Sequence, residues 1–180
     1  EAVSDGPTNI SLSNSSEAEN TASGTVVGNF SAVDDSGRSL IFSLVGSDND
    51  NSLFSTFLGI LRLNTVPDFE TKASYVIDVQ ARNSFTRQTF TKRLTINVTN
   101  TNDAPTAITL SNARINENQP AGATVGTLSS VDSDAGDSHT YALVEGGGSD
   151  DNAAFRIDGN ILKTNALLDT TQFRLSTGRK

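Results

Sequence analysis

Apolar residues alternate with polar ones over short runs along this chain, and almost nowhere do they recur at helical spacing. The clearest run is 74–82, where Tyr75, Ile77, Val79 and Ala81 alternate with Val76, Asp78, Gln80 and Arg82. A side-chain period of two places the first set on one face of a β-strand and the second set on the other. The segment 86–99 repeats the pattern, with Leu94, Ile96 and Val98 facing in and Thr95, Asn97 and Thr99 facing out. Further strands are predicted near 8–13, 25–33, 39–45, 53–57 and 60–63, between clusters of Gly, Asn, Asp and Ser. Around Val27-Gly28-Asn29-Phe30 the alternation slips by one residue, which predicts a β-bulge. Seven short strands in this length of chain indicate a β-sandwich.

The pattern then starts again. Gly6-Pro7-Thr8-Asn9-Ile10-Ser11-Leu12-Ser13-Asn14 matches Ala104-Pro105-Thr106-Ala107-Ile108-Thr109-Leu110-Ser111-Asn112 without a gap, a period of 98 residues. The same offset aligns Glu19-Asn20 with Glu117-Asn118 and Val33-Asp34 with Val131-Asp132; small insertions then pair Phe42 with Tyr141, Phe54 with Phe155 and Asp68 with Asp169. The expected organisation is two tandem all-β modules, 1–103 and 104–180, each a seven-stranded Greek-key sandwich of immunoglobulin-like type. The second module is expected to turn Ile108 and Leu110 inward and to lack its last two strands, because the counterpart of Tyr75–Thr99 lies beyond Lys180. Ser4-Asp5-Gly6-Pro7 resembles the end of another junction, so the sequence reads as a cut from a longer array. Between the modules lies a polar seam, Asn100-Thr101-Asn102-Asp103-Ala104-Pro105. It has no Gly for a tight reversal and a Pro that cannot join a ladder, so it is a junction rather than a hairpin.

Charge and composition narrow the function. The 180 residues carry a net charge of −8, which argues against nucleic acid or an anionic membrane as partner. No apolar run approaches the ~20 residues of a membrane span, so no direct membrane insertion is expected in this segment. There is no Cys, Met or Trp, and abundant Thr, Ser and Asn with scarce Lys lean toward an extracellular β-protein. Catalysis finds no support: a Ser or Thr nucleophile needs an oriented base, and His139 is the one histidine in the chain. Asp48-Asn49-Asp50-Asn51-Ser52 lacks the Gly and Glu of a helix-loop-helix calcium loop and reads as a solvated loop.

Oxygen-bearing side chains cluster in four stretches: Glu19-Asn20, Asp68-Phe69-Glu70, the seam residues Asn100, Asn102 and Asp103, and Asp132-Ser133-Asp134. Turns in a sandwich alternate between its two ends, so all four are expected to converge on the seam. Carboxylates gathered there repel by several kcal/mol per close pair in partly buried surroundings. No Lys or Arg lies within these stretches to offset them. Ca²⁺ suits such a set because it takes 6–8 oxygen ligands in flexible geometry; zinc and copper would want His or Cys, and the chain has only His139 and no Cys.

Asn116-Glu117-Asn118-Gln119-Pro120, Val131-Asp132-Ser133-Asp134, Asp68-Phe69-Glu70 and Asn102-Asp103-Ala104-Pro105 resemble the signatures of cadherin repeats. The runs Asp132–Tyr141 and Asp151–Asn160 are similar to those of bacterial cadherin-like modules in large surface adhesins. The resemblance implies a calcium-binding structural segment of an extracellular cell-surface adhesion protein, in which Ca²⁺ at the junction rigidifies the array. Carried over by position, the implied metal ligands are Glu19, Asp68, Glu70, Asn100, Asn102, Asp103, Asp132 and Asp134. The implied partners are neighbouring modules of the same chain, with homophilic protein contacts or cell-surface glycans beyond them. Three positions depart from the pattern. Asn100 replaces an acid, one Asn before Ala104 is missing, and Asn83 stands where an Asp is expected, so one or two ions are expected rather than a full set. The rival readings are a carbohydrate- or surface-binding sandwich attached to a secreted enzyme, and a metal-free spacer. Against the first of these, there is no Trp, and Tyr75 and Tyr141 occupy inward positions.

Overall fold

A computed structural model of the chain describes residues 6–169; Ser4-Asp5 and the stretch 170–180 lie outside the described residues. The described residues form twelve β-strands and two single 3-10 turns, with no α-helix. They divide into two units, Glu1–Asn102 and Asp103–Lys180.

The first unit is a sandwich of two four-stranded sheets. One carries β1 (Thr8–Leu12), β3 (Val26–Val33), β6 (Ile60–Leu63) and β5 (Phe54–Phe57), in the order β1-β3-β6-β5. The other carries β2 (Ser16–Ala18), β8 (Thr89–Thr99), β7 (Ser74–Asn83) and β4 (Leu40–Leu44), in the order β2-β8-β7-β4. The core lies between them, built from Ile10, Phe30, Phe54, Leu61, Ile77, Val79 and Ile96, among others. In β7 the expected alternation holds: Tyr75, Ile77, Val79 and Ala81 are buried, and Val76, Asp78, Gln80 and Arg82 are half-buried.

The three-residue β2 is invisible in the hydrophobic pattern. It is the second half of the first strand, which leaves β3 and joins β8 in parallel, with Ser16 opposite Asn97. Side chains at the crossover satisfy the backbone groups that the switch strands. Asn14 Nδ2 donates to the carbonyls of Ser16 (2.8 Å) and Val27 (3.1 Å), and Ser13 Oγ accepts from the Asn29 amide (2.9 Å). The crossover backbone passes so close to β3 that a Cβ on Gly28 would lie 3.0 Å from Asn14 N, and the β3–β6 register shifts between Val26 and Gly28. This is the predicted bulge. The second unit repeats the device 98 residues later: Asn112 Nδ2 donates to the Arg114 and Val125 carbonyls, and a Cβ on Gly126 would meet Asn112 O at 2.5 Å.

The loop before β5 is anchored, not solvated as its sequence suggested. Asp50 Oδ2 accepts from the Val76 amide (2.8 Å) and Oδ1 pairs with Lys72 Nζ (2.5 Å), while Asn51 Oδ1 accepts from the Asp78 amide (3.1 Å). Beside it, Arg93 grips Asp78 through two nitrogens (2.9 and 2.8 Å), and Asn49 Nδ2 adds a third donor (3.1 Å). These bonds, Arg93 first, hold the Asp78 carboxyl down at about 2. A depressed carboxyl contributes stability at pH values above the ordinary carboxylate range, and that contribution fades as pH falls from ~4 through about 2. In Arg93→Ala, carboxylate NMR titration should find Asp78 moved up toward the ordinary range, with its contribution lost at correspondingly higher pH.

The second unit shows one sheet among its described residues: β9 (Ala107–Leu110), β10 (Thr124–Val131), β11 (Phe155–Asp158) and β12 (Ile161–Thr164), in the order β11-β12-β10-β9. This matches β5-β6-β3-β1 strand for strand. The segment 139–144, which aligns with β4, is not a strand. β4 hydrogen-bonds to β7 alone, Leu40 to Asn83 and onward, and no counterpart of β7 occurs among the described residues. For the same reason Ile108 does not turn into a core: it is 66% exposed, whereas Ile10 at the matching position is fully buried. Leu110 is half-buried.

Candidate functional site

In the first unit the acids at the seam end are set by strand termini and one left-handed turn. Asn20 takes φ 60, a conformation Asn tolerates better than most residues, and its amide bonds the Pro67 carbonyl (2.9 Å). That turn aims Glu19 inward, where it is 3% exposed. A buried carboxylate requires donors, and two amides serve it: Phe69 N–H to Oε2 (2.9 Å) and Thr101 N–H to Oε1 (2.6 Å). A Glu70 carboxylate oxygen lies within 4.8 Å of one from Glu19, and Glu70 Oε1 accepts from Asn100 Nδ2 (2.9 Å). Asp68 is exposed, and both its oxygens are engaged by Thr71, Oδ1 by the amide and Oδ2 by the hydroxyl (2.8 Å each). Those bonds hold its carboxyl below the usual range and close the turn that presents Glu70. Asn102 is exposed and is the last residue of the unit.

The second unit gathers its acids around the turn after β10. Asp134 Oδ2 accepts from the Asp103 amide (2.5 Å), and Asp132 Oδ1 accepts from the Asp134 amide (3.0 Å). Asp132, Asp134 and Asp137 each offer an oxygen within 4.8 Å of the other two. Asp137 was not anticipated. The signal for it was present in Asp134-Ala135-Gly136-Asp137, where Gly136 at φ 102 folds the turn back on itself. The Asp132 side chain is only 5% exposed, and its Oδ2 is buried with no hydrogen-bond partner. The His139 Nε2 lies 3.6 Å away, beyond hydrogen-bonding distance.

The opposite end of the first unit carries the related run Asp34-Asp35-Ser36, but here hydrogen bonds from the protein stabilise the carboxylate. Asn83, fully buried, donates to Asp34 Oδ2 (2.9 Å) and Ser36 Oγ (2.8 Å), and Ser36 binds Asp34 Oδ1 through both amide and hydroxyl. The Ser36 hydroxyl and Asn83 together hold Asp34 below the ordinary carboxylate range.

The strand order and the first strand split between two sheets give the first unit a β-sandwich fold like that of cadherin domains, and the second unit repeats one of its sheets. Comparison with known proteins agrees. No protein-family model matches the chain. Human Cadherin-12 is 30% identical over 181 residues, an alignment covering 88% of this chain and 22% of that protein. Mouse Cadherin EGF LAG seven-pass G-type receptor 2 is 33% identical over 161 residues, covering 84% of this chain and 5% of that protein. Among solved structures, mouse Cadherin-23 EC22-24 matches with a TM-score of 0.62 and 27% identity, over 93% of this chain and 56% of that one. Human Protocadherin-24 EC1-2 matches with a TM-score of 0.68 over 94% of this chain and 81% of that one; at 18% identity it speaks for the fold alone. The chain is thus a homologue of cadherin domains in sequence and structure, and these relatives are adhesion proteins rather than enzymes. It spans only about a fifth, or less, of the curated relatives it matches.

Proposed function

We propose that this chain is a calcium-binding structural segment of an extracellular cell-surface adhesion protein, in which Ca²⁺ at the junction of modules 1–103 and 104–180 rigidifies the array. The observation that carries the reading is Asp132 Oδ2, a buried carboxylate oxygen without a donor, grouped with oxygens of Asp134 and Asp137. A buried carboxylate oxygen with no donor is costly. The donors around it are carboxylates, and an all-oxygen set suits Ca²⁺ better than zinc or copper. Glu19 and Glu70 offer a second pair of oxygens, with Asn100, Asn102 and Asp68 on the same stretches. The peptide bond from Asn102 to Asp103 joins the two units along the chain.

The runs Asp132–Tyr141 and Asp151–Asn160 support placing the segment in a long surface adhesin of bacterial cadherin-like type. In that setting the partners are neighbouring modules, then homophilic contacts or surface glycans. Among the described residues no helix is long and apolar enough to cross a membrane. Isothermal titration of the chelator-treated chain with CaCl₂ should show saturable uptake of one or two ions, and Asp134→Asn should lose at least one. A flat titration would leave a metal-free spacer as the better reading.

A further inference from the structure

Between Asp103 and Asp169 the second unit carries ten acids against three bases, yet the three bases, Arg114, Arg156 and Lys163, stand together. Arg156 of β11 lies directly opposite Lys163 of β12, and Lys163 lies opposite Thr124 of β10. Residues opposite one another across strands share a face. Here it is the outer face: Arg156 and Thr124 are exposed, while Phe155, Ile157 and Val125 turn the other way. Thr124 also lines a groove of about 350 Å³ with Arg114, Asn116 and Gln119. The Arg156 guanidinium reaches the edge of that groove, with Nη2 3.3 Å from where a Cβ on Gly122 would stand, in the loop between Gln119 and Ala123.

Like charges directly opposite on a sheet oppose its pairing. Asp158 Oδ2 engages Lys163 Nζ at 2.6 Å, and Lys163 first, with Arg156 adding to it, holds that carboxyl below the usual range. Among the described residues no carboxylate forms a salt bridge with Arg114 or Arg156. The first unit has nothing equivalent. Its aligned residues are Ser16, Ser55 and Arg62, and Arg62 spends Nη1 on the Gly24 carbonyl (3.0 Å).

We propose that this face of the second unit is a binding site for an acidic polysaccharide. Arg114 and Arg156 hold its uronate carboxylates, and the side chains of Asn116, Gln119 and Thr124 hydrogen-bond its hydroxyls. The guanidinium fork matches a carboxylate in two parallel bonds. No aromatic ring lines the groove to stack on a neutral sugar, so charge supplies the selectivity. A dense polyanion is a poor occupant: duplex DNA carries a charge every ~1.7 Å and would set most of its phosphates against a chain of net charge −8. A polymer with one carboxylate per disaccharide brings its charge to the arginines and neutral hydroxyls elsewhere. An acidic peptide offers few hydroxyls to a wall of amide and hydroxyl side chains. The site rests on the adhesion reading for its setting, gives the glycan contact of that reading a place and a chemical class, and uses no calcium ligand.

Titration of the whole 180-residue chain with hyaluronan hexasaccharide, followed by NMR of the amide and guanidinium signals in chelator, tests this. Saturable shifts are expected at Arg114, Asn116, Gln119, Thr124 and Arg156, and none at Ser16, Ser55 or Arg62. Affinity in the millimolar range should fall by at least about threefold between roughly 50 and 300 mM NaCl, because the charges are exposed. Arg114→Ser with Arg156→Ser copies the first unit's residues into the second. Both side chains are exposed, so this variant should melt with the wild type. It should bind at least about tenfold more weakly. A variant that binds like the wild type would overturn the proposal. An uncharged dextran oligosaccharide that binds equally well would remove the charge argument, and a tetraglutamate peptide that does so would give the site to acidic peptides; either result overturns it. Binding that requires calcium would place the glycan at the acid clusters and overturn it as well. A flat calcium titration leaves the expected shifts in chelator unchanged, so the two readings fail separately.

Discussion

Calcium at about a hundred times its dissociation constant is expected to raise the melting midpoint by about 10–20 °C over the value in chelator. A ligand that binds only the folded state at that excess stabilises it by about 2.7 kcal/mol. One kcal/mol moves the midpoint of a domain of 60–100 residues by roughly 4–8 °C. The source of the effect is local: Asp132 Oδ2 is buried without a donor, and the neighbouring carboxylates of Asp134 and Asp137 add repulsion that a divalent ion would convert to attraction. Sodium chloride should not reproduce it, since salt screens exposed charges well and buried ones poorly. Magnesium should do less, because it demands a tighter octahedral set. Asp134→Ala should remove most of the calcium-dependent shift. Asp50→Ala should lower the midpoint in both buffers, by stranding the Val76 amide, and leave the shift intact. A midpoint that calcium does not move would end the calcium reading.

Much of this fold could be read from the order of residue types, because a half-buried strand writes its own period. Tyr75 to Ala81 is the clearest instance: one face is buried and the other only half-buried. The 98-residue repeat was legible for a related reason, since Ser13-Asn14 and Ser111-Asn112 perform the same crossover bonds in both units. What escaped depends on partners distant in the chain. β2 is three residues of Ser, Glu and Ala that form a strand only because the edge of β8 is there to pair with. Ile108 has the same sequence context as Ile10, but no described strand packs over it. The loop at Asp48–Asn51 looked solvated because the groups that anchor Asp50 and Asn51, the Val76 and Asp78 amides and the Lys72 ammonium, lie more than twenty residues onward. The acid clusters themselves were visible as stretches of sequence. That Asp68 spends its oxygens on Thr71, while Asp137 joins Asp132 and Asp134, follows from turn geometry that spacing alone does not encode.

Replacing Asn83 with Asp should cost the first unit on the order of 3 kcal/mol at neutral pH in chelator, seen as a fall of about 10 °C or more in its midpoint. Asn83 is fully buried, and both ends of its amide are in use. Oδ1 accepts from the Phe85 and Thr86 amides (2.9 and 3.0 Å), and Nδ2 donates to Asp34 and Ser36. A carboxylate preserves the two accepted bonds and loses the donor. It also sets a second negative charge against Asp34, in a site where Asn83 and Ser36 now supply the hydrogen bonds that keep that acid ionised. Burial and the like charge both push the new carboxyl above its unfolded value. The sign of the pH dependence follows. The penalty is fully present once pH exceeds that raised value, and it shrinks as acid protonates the new group, so Asn83→Asp should gain on the wild type as pH falls toward 4. Calcium should recover part of the loss, because two facing carboxylates and the Ser36 hydroxyl offer oxygens that the amide donor now occupies. If the variant melts with the wild type in chelator at neutral pH, the hydrogen bonds that Asn83 gives to Asp34 and Ser36 do not govern this end of the module.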